Sequence, residues 1–176
     1  ASAESGEADV ERELSIESFK IISDWYHYAI LELTFTSGFK PDPRWIAAQL
    51  AISPTEAKLA LERLQKLELL EIDAKGARKT TGFLTTADKQ VTTSALRKRQ
   101  RQVLEKAIWS LENDSIDERD TSALCMAIDP ANIPEAKRRI QEFKKELCAW
   151  LESGDQTRVY ELSISLFPTQ KRGESA

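Results

Sequence analysis

Between residues 45 and 67 the apolar positions recur at helical spacing in two blocks separated by a polar break. Ile46, Ala47 and Leu50 form the first block, and Ala57, Leu61, Leu64 and Leu67 form the second. Ser53 is placed to accept a hydrogen bond from an orphan amide of the next helix, and Pro54 falls at its first position, where a missing N–H costs nothing. The pattern predicts helix, tight turn, helix, with the second helix starting at about Pro54. Two short apolar runs follow, Leu69-Leu70-Glu71-Ile72 and Gly82-Phe83-Leu84, with Lys75-Gly76-Ala77 between them, which predicts a hairpin.

Upstream, Ser18 can cap one long helix whose Phe19, Ile22, Trp25, Tyr26, Ala29 and Leu33 mark a broad buried face, ending before Gly38. Downstream, residues 85–93 are polar and read as a connector. A helix opening at Ser94 carries the stripe Leu96, Val103, Ala107 and Leu111, flanked by Leu104 and Ile108, which is expected to pack inward; Asn113-Asp114-Ser115 stops it. Residues 121–128 suit a strand buried on both faces, and residues 134–152 an amphipathic helix with Ile140, Phe143, Leu147, Trp150 and Leu151 inward. From 158 to 167 the period becomes two, so Leu162 and Ile164 are expected to be inaccessible in a second strand.

The fold class expected is α+β, a helix-turn-helix with a hairpin followed by a helix-strand-helix-strand unit. Its boundaries are a disordered acidic tail over 1–14, a first domain over 15–90, an α/β unit over 91–168 and a tail over 169–176. The tail assignment rests on Glu4, Glu7, Asp9, Glu11 and Glu13 and the lack of periodic apolar residues there.

Composition narrows the chemistry. At 176 residues and 41% hydrophobic content the chain can bury a core. No apolar run approaches the ~20 residues that span a bilayer, so a cytoplasmic chain without membrane contact is expected. The only methionine is Met126, so sequence upstream of Ala1 is expected. Cys125 and Cys148 lie in apolar periodic segments and read as buried free thiols, and His27 is the only histidine. A zinc site, a disulfide framework and a nucleophilic triad are therefore disfavoured, and neither a catalytic residue nor a cofactor is expected. Net charge is −4, which supplies no global field for nucleic acid, although Arg97, Lys98, Arg99 and Arg101 form a compact basic run.

The unit over residues 45–70 with its hairpin resembles the winged-helix form of the helix-turn-helix, over about residues 19–86. In that form two positions often held by glycine correspond to Ala51 and Glu68 here, so residue type does not dictate their left-handed geometry. The chain also resembles the C-terminal region of an uncharacterised bacterial family of paralogous proteins, a domain of unknown function. That resemblance is carried by Asp24-Trp25-Tyr26-His27-Tyr28, residues 45–70, Arg119-Asp120-Thr121-Ser122 and the run from Tyr160-Glu161-Leu162 to Phe167-Pro168. It implies a longer parent and a regulator-like role, and brings no site residues.

The function expected is a DNA-binding regulatory module, the C-terminal part of a transcription regulator. The helix beginning at Pro54 would enter the major groove of double-stranded DNA with Thr55, Lys58 and Arg63, while Lys75, Arg78 and Lys79 contact phosphates. The alternative is a module that keeps the winged fold without DNA binding and docks a protein partner or dimerises, through Leu59, the two late strands and the basic residues Arg97, Arg99 and Arg101. The aromatic cluster at residues 25–28 is read as core and interface in preference to a ligand pocket, because neighbouring helical residues point in different directions.

Overall fold

The computed structural model describes residues 12–73, 76–80, 84–86 and 93–170. It is an α+β chain of two compact units, Ala1–Arg119 with Asp155–Val159, and Asp120–Gly154 with Tyr160–Ala176.

In the first unit, strand β1 (Arg12–Leu14) leads into helices α1 (Ile16–Ile21) and α2 (Trp25–Leu33). Sequence periodicity predicts one helix here, and the structure has two. Ser15, not Ser18, caps α1 by accepting from the Ser18 amide. Ser23 turns its hydroxyl back to the Lys20 carbonyl at 3.2 Å, and Asp24 adopts extended backbone as the cap of α2. Both residue types compete with the helix for its own backbone groups, which breaks the run although its apolar face continues across the gap. Residues 12–14, expected in the tail, instead pair in parallel with β4 (Leu84–Thr86), and Leu14 is buried.

Helices α3 (Pro43–Leu50) and α4 (Pro54–Lys66) pack closely on each other and on α2. Asp42 caps α3, and Ser53 with Glu56 forms a reciprocal capping box on α4, with bonds of 3.1 and 2.8 Å. Ile22, Ile30, Ile46, Leu64 and Leu69 are fully buried at the centre of the core. The turn positions without glycine are left-handed all the same, Ala51 at φ 52° and Glu68 at φ 56°. The amides of Ile52 and Leu69 close each helix end by donating to Ala47 and Leu64. Both residues are exposed; the packing of Ile52 and Leu69, which follow them, against the core holds them in a conformation that costs an L-residue about 1–2 kcal/mol.

Strands β2 (Leu70–Asp73) and β3 (Gly76–Lys79) form an antiparallel hairpin with Leu70 opposite Lys79. The pairing runs to Asp73 opposite Gly76, so the hairpin closes one run earlier than the spacing of apolar residues suggests. Residues 82 and 83 lie outside the described residues, and Leu84 pairs with β1 instead. Helix α5 (Ser94–Asn113) follows, opening at Ser94 and ended at Asp114 as expected, with Thr93 from the connector as its cap. Residues 155–159 belong to this unit: Ser37 N–H donates to the Gln156 carbonyl at 2.9 Å, Arg158 pairs with Glu118 at 2.6 Å and Val159 packs on the core.

The second unit contains a short 3-10 turn over Pro130–Asn132 and helix α6 (Ile133–Leu151). The two strands expected at 121–128 and 158–167 are not formed: neither segment carries a strand ladder among the described residues. Leu162 and Ile164 are each 39% exposed, and no described residue of this unit is buried. Alternation marks a face, but a strand also needs a partner to take its amides and carbonyls, and the sequence pattern does not supply one. The inward face expected for α6 is open as well, with Trp150 70% exposed. Neither Cys125 nor Cys148 is in a disulfide, yet Cys125 is exposed and Cys148 half-buried.

Candidate interaction surfaces

Helix α4 turns Ala57, Ala60, Leu61 and Leu64 to the core. At about 100° per residue, its outward face carries Thr55, Leu59, Glu62 and Lys66. Thr55, Lys58 and Leu59 are exposed, and Lys58 Nζ lies 4.0 Å from Glu62. Arg63 lies about 140° around the helix from Lys58. It is half-buried beside Tyr26 and His27, whose protonation its charge affects, so the face expected to read DNA does not bring Lys58 and Arg63 together. Glu56 is drawn into the capping box, and its hydrogen bonds with Ser53 hold its carboxyl below the usual range.

The described cations of the hairpin, Arg78 and Lys79, are paired with carboxylates of the same unit. Lys79 is 8% exposed at its side chain, pairs with Glu32 at 2.6 Å and sits 5.8 Å from the Phe35 ring centroid. Arg78 Nε donates to Glu71 across the strands at 2.9 Å. Lys75 lies outside the described residues. Arg44, which sequence reasoning passes over, lines an open concavity of about 380 Å³ with Asp42, Pro43, Pro54, Thr55 and Lys58, where α3 and α4 both begin. Only the three-dimensional meeting of two helix starts identifies it.

Helix α5 presents a different arrangement. Lys98 Nζ lies 2.6 Å from Asp24, and Gln102 Nε2 donates to the same carboxylate oxygen at 2.9 Å. The Trp25 N–H donates to Gln102 Oε1 at 3.0 Å. Arg99 stacks 4.2 Å from the Tyr28 ring centroid, and Lys106 Nζ lies 3.4 Å from that of Trp25. Burial pushes the Asp24 carboxyl up, but the hydrogen bonds from Lys98 and Gln102 outweigh it and hold the group below the usual range. The aromatic cluster of α2 is thus a docking platform for the basic turns of α5.

This orientation reverses the expected packing of α5. Leu104, Ile108 and Leu111 lie nine residues beyond Ala95, Arg99 and Gln102, that is two and a half turns, or about 180° around the helix. Ala95 is buried, and Arg99 and Gln102 touch α2, so the three aliphatics point away from it. Their exposures are 47%, 59% and 47%. Val103 alone of the predicted stripe is buried, with Leu96 half-buried. Of the basic residues predicted to meet a partner, Arg97 and Arg101 are exposed on the outward side, and Arg99 is turned to Tyr28. Both opposed stripes of α5 are visible in the sequence; which one faces the domain is written in neither.

His27 is fully buried and stacks on Tyr26 at 4.8 Å between centroids. Its Nδ1 lies 3.1 Å from the Asp24 carbonyl, which only accepts, so Nδ1 carries the proton. Nε2 has no hydrogen-bond partner among the described residues. Burial lowers its pKa to about 4. The ring is therefore neutral near pH 7 and packs on Tyr26. Arg119 Nε donates to the Asp114 carbonyl at 3.2 Å. Among the described residues no group of three or more His, Cys, Asp or Glu could hold a metal ion, and no helix is long and apolar enough to cross a membrane.

The chain belongs to the family described as Domain of unknown function (DUF4423), which matches residues 6–169. This agrees with the resemblance drawn from the sequence to an uncharacterised family. No curated protein and no solved structure matches it.

Proposed function

We propose that this DUF4423 chain is a non-catalytic docking module of a regulatory protein, a winged-helix-like unit that meets another protein through α5. The single observation that supports the reading is the orientation of α5, which sets its polar and cationic face on α2 and directs Leu104, Ile108 and Leu111 to solvent. Aligned aliphatics at that exposure are characteristic of an interface. Ile108→Glu tests it: in dilute solution the unfolding free energy should stay within about 0.5 kcal/mol of the parent, as for an open surface position. A loss of several kcal/mol would mean the stripe is covered within one chain, and the docking reading would fall.

A second reading keeps DNA contact, and the concavity where α3 and α4 begin favours it. Arg44, Thr55 and Lys58 surround two helix N-termini, whose amides and dipoles suit a phosphate. With Arg78 and Lys79 paired to Glu71 and Glu32, the wing would add little. On this reading Arg44→Ala and Lys58→Ala each lower the salt slope of affinity for random duplex by about one, whereas Lys79→Ala leaves it unchanged. Absence of salt-sensitive binding by the intact chain would exclude it.

A further inference from the structure

The outward side of α5 carries opposite charges at its two ends beside the aliphatics. Arg101, toward the N-terminal end, and Glu112, toward the C-terminal end, are both exposed and lie about three turns apart on the same flank of the Leu104, Ile108 and Leu111 stripe. When two copies of one helix pair antiparallel, a flank meets the same flank of its partner, whereas in a parallel pair it meets the opposite flank. A flank that runs from basic to acidic therefore complements itself in the antiparallel arrangement alone. The macrodipoles also oppose favourably there. The register that sets Arg101 against Glu112 is centred close to Ala107, which also brings the aliphatic stripes of the two copies over each other. Ala107 is small and exposed, so the backbones can approach at that centre.

From this charge complementarity we propose that the occupant of the α5 face is a second copy of this chain, its α5 antiparallel to the first, with Arg101 of each copy against Glu112 of the other. The inference rests on the docking reading and names its partner. The 20 residues of the helix span about 30 Å. One stripe of that length falls short of the ~800 Å² per partner of a standard interface, so the dimer dissociates on the order of micromolar concentrations.

The test uses the full chain in two charge-swapped forms. Arg101→Glu makes both ends of the flank acidic, and Glu112→Arg makes both basic. By sedimentation at ~100 μM the parent chain should be dimeric. Each swapped chain alone should be monomeric, with at least a tenfold weaker association, and an equimolar mixture should restore the dimer. Circular dichroism of each form checks that it is folded. A parent chain that stays monomeric, or swapped chains that dimerise as well as the parent, would overturn the proposal. Ile108→Cys, in a chain with Cys125→Ser and Cys148→Ser, separates the two levels of failure. If the parent is monomeric and the introduced thiol reacts rapidly with a thiol reagent, the face is open and its partner is another protein, which overturns the homodimer only. If that thiol is protected in the monomer, the docking reading falls with it.

Discussion

Gln102 completes the helix that Asp24 begins. The Asp24 side chain makes no capping bond to its own helix, and Gln102, on α5, takes the Trp25 N–H with its carbonyl while its amide donates to the Asp24 carboxylate. One side chain 78 residues along the chain thus satisfies an orphan donor of α2 and a half-buried charge together.

Gln102→Ala should therefore destabilise the fold beyond its lost volume. It leaves an amide without an acceptor and Asp24 with one donor fewer, a cost of about 1–3 kcal/mol. Thermal melting should show a fall of several degrees. An unchanged midpoint would mean that water replaces both bonds.

Protonation of His27 should weaken the fold in mild acid. Its pKa is about 4 in the folded chain against an ordinary 6.5. The unfolded chain takes up the proton first, so the stabilisation is complete above about pH 6.5 and is lost as pH falls through 4, amounting to about 3 kcal/mol at most. Asp24, also lowered, extends the loss below its own ordinary range in the same direction. Urea unfolding at stepped pH should show the slope, and His27→Asn should flatten it between about pH 6.5 and 4. An equal slope in both proteins would place the titrating group elsewhere.

At Ala51 the backbone is left-handed, which glycine adopts freely and alanine does not. Ala51→Gly should raise stability by up to about 1 kcal/mol, the relief of strain exceeding the added freedom of the unfolded chain. Ala51→Val should do the reverse, since a branched Cβ fits this region poorly. Denaturant midpoints for the pair give the order, and valine above glycine would contradict the assigned geometry.

Leu64 is fully buried among the residues of the core. Leu64→Ala should cost about 2–5 kcal/mol through lost transfer energy and the cavity left behind. Calorimetry reads this directly, and a cost below about 1 kcal/mol would remove Leu64 from the centre of the unit.

Much of the first unit is legible locally. Ser53, Pro54 and Glu56 specify where α4 starts because capping is decided within four residues, and the Ala57, Ala60, Leu61 and Leu64 stripe declares its own core face. Thr93 and Asp114 likewise bound α5. The exposure of Leu59 and Lys58 is legible for the same reason, since the apolar stripe of α4 points the other way.

What the sequence by itself determined is therefore what is decided within a few residues along the chain: the starts of α4 and α5, the end of α5 and the core face of α4. Tertiary structure alone decided which of two faces of α5 meets the domain, because Asp24, Trp25 and Tyr28 recruit Lys98, Gln102, Lys106 and Arg99 from far along the chain. It also decided that Lys79 belongs to Glu32 and not to solvent, and that Ala51 and Glu68 bend left-handed without glycine. The alternation over 158–167 carries no strand ladder among the described residues, for the complementary reason: a strand exists only where another backbone answers it, and that answer is not encoded in the strand's own residues.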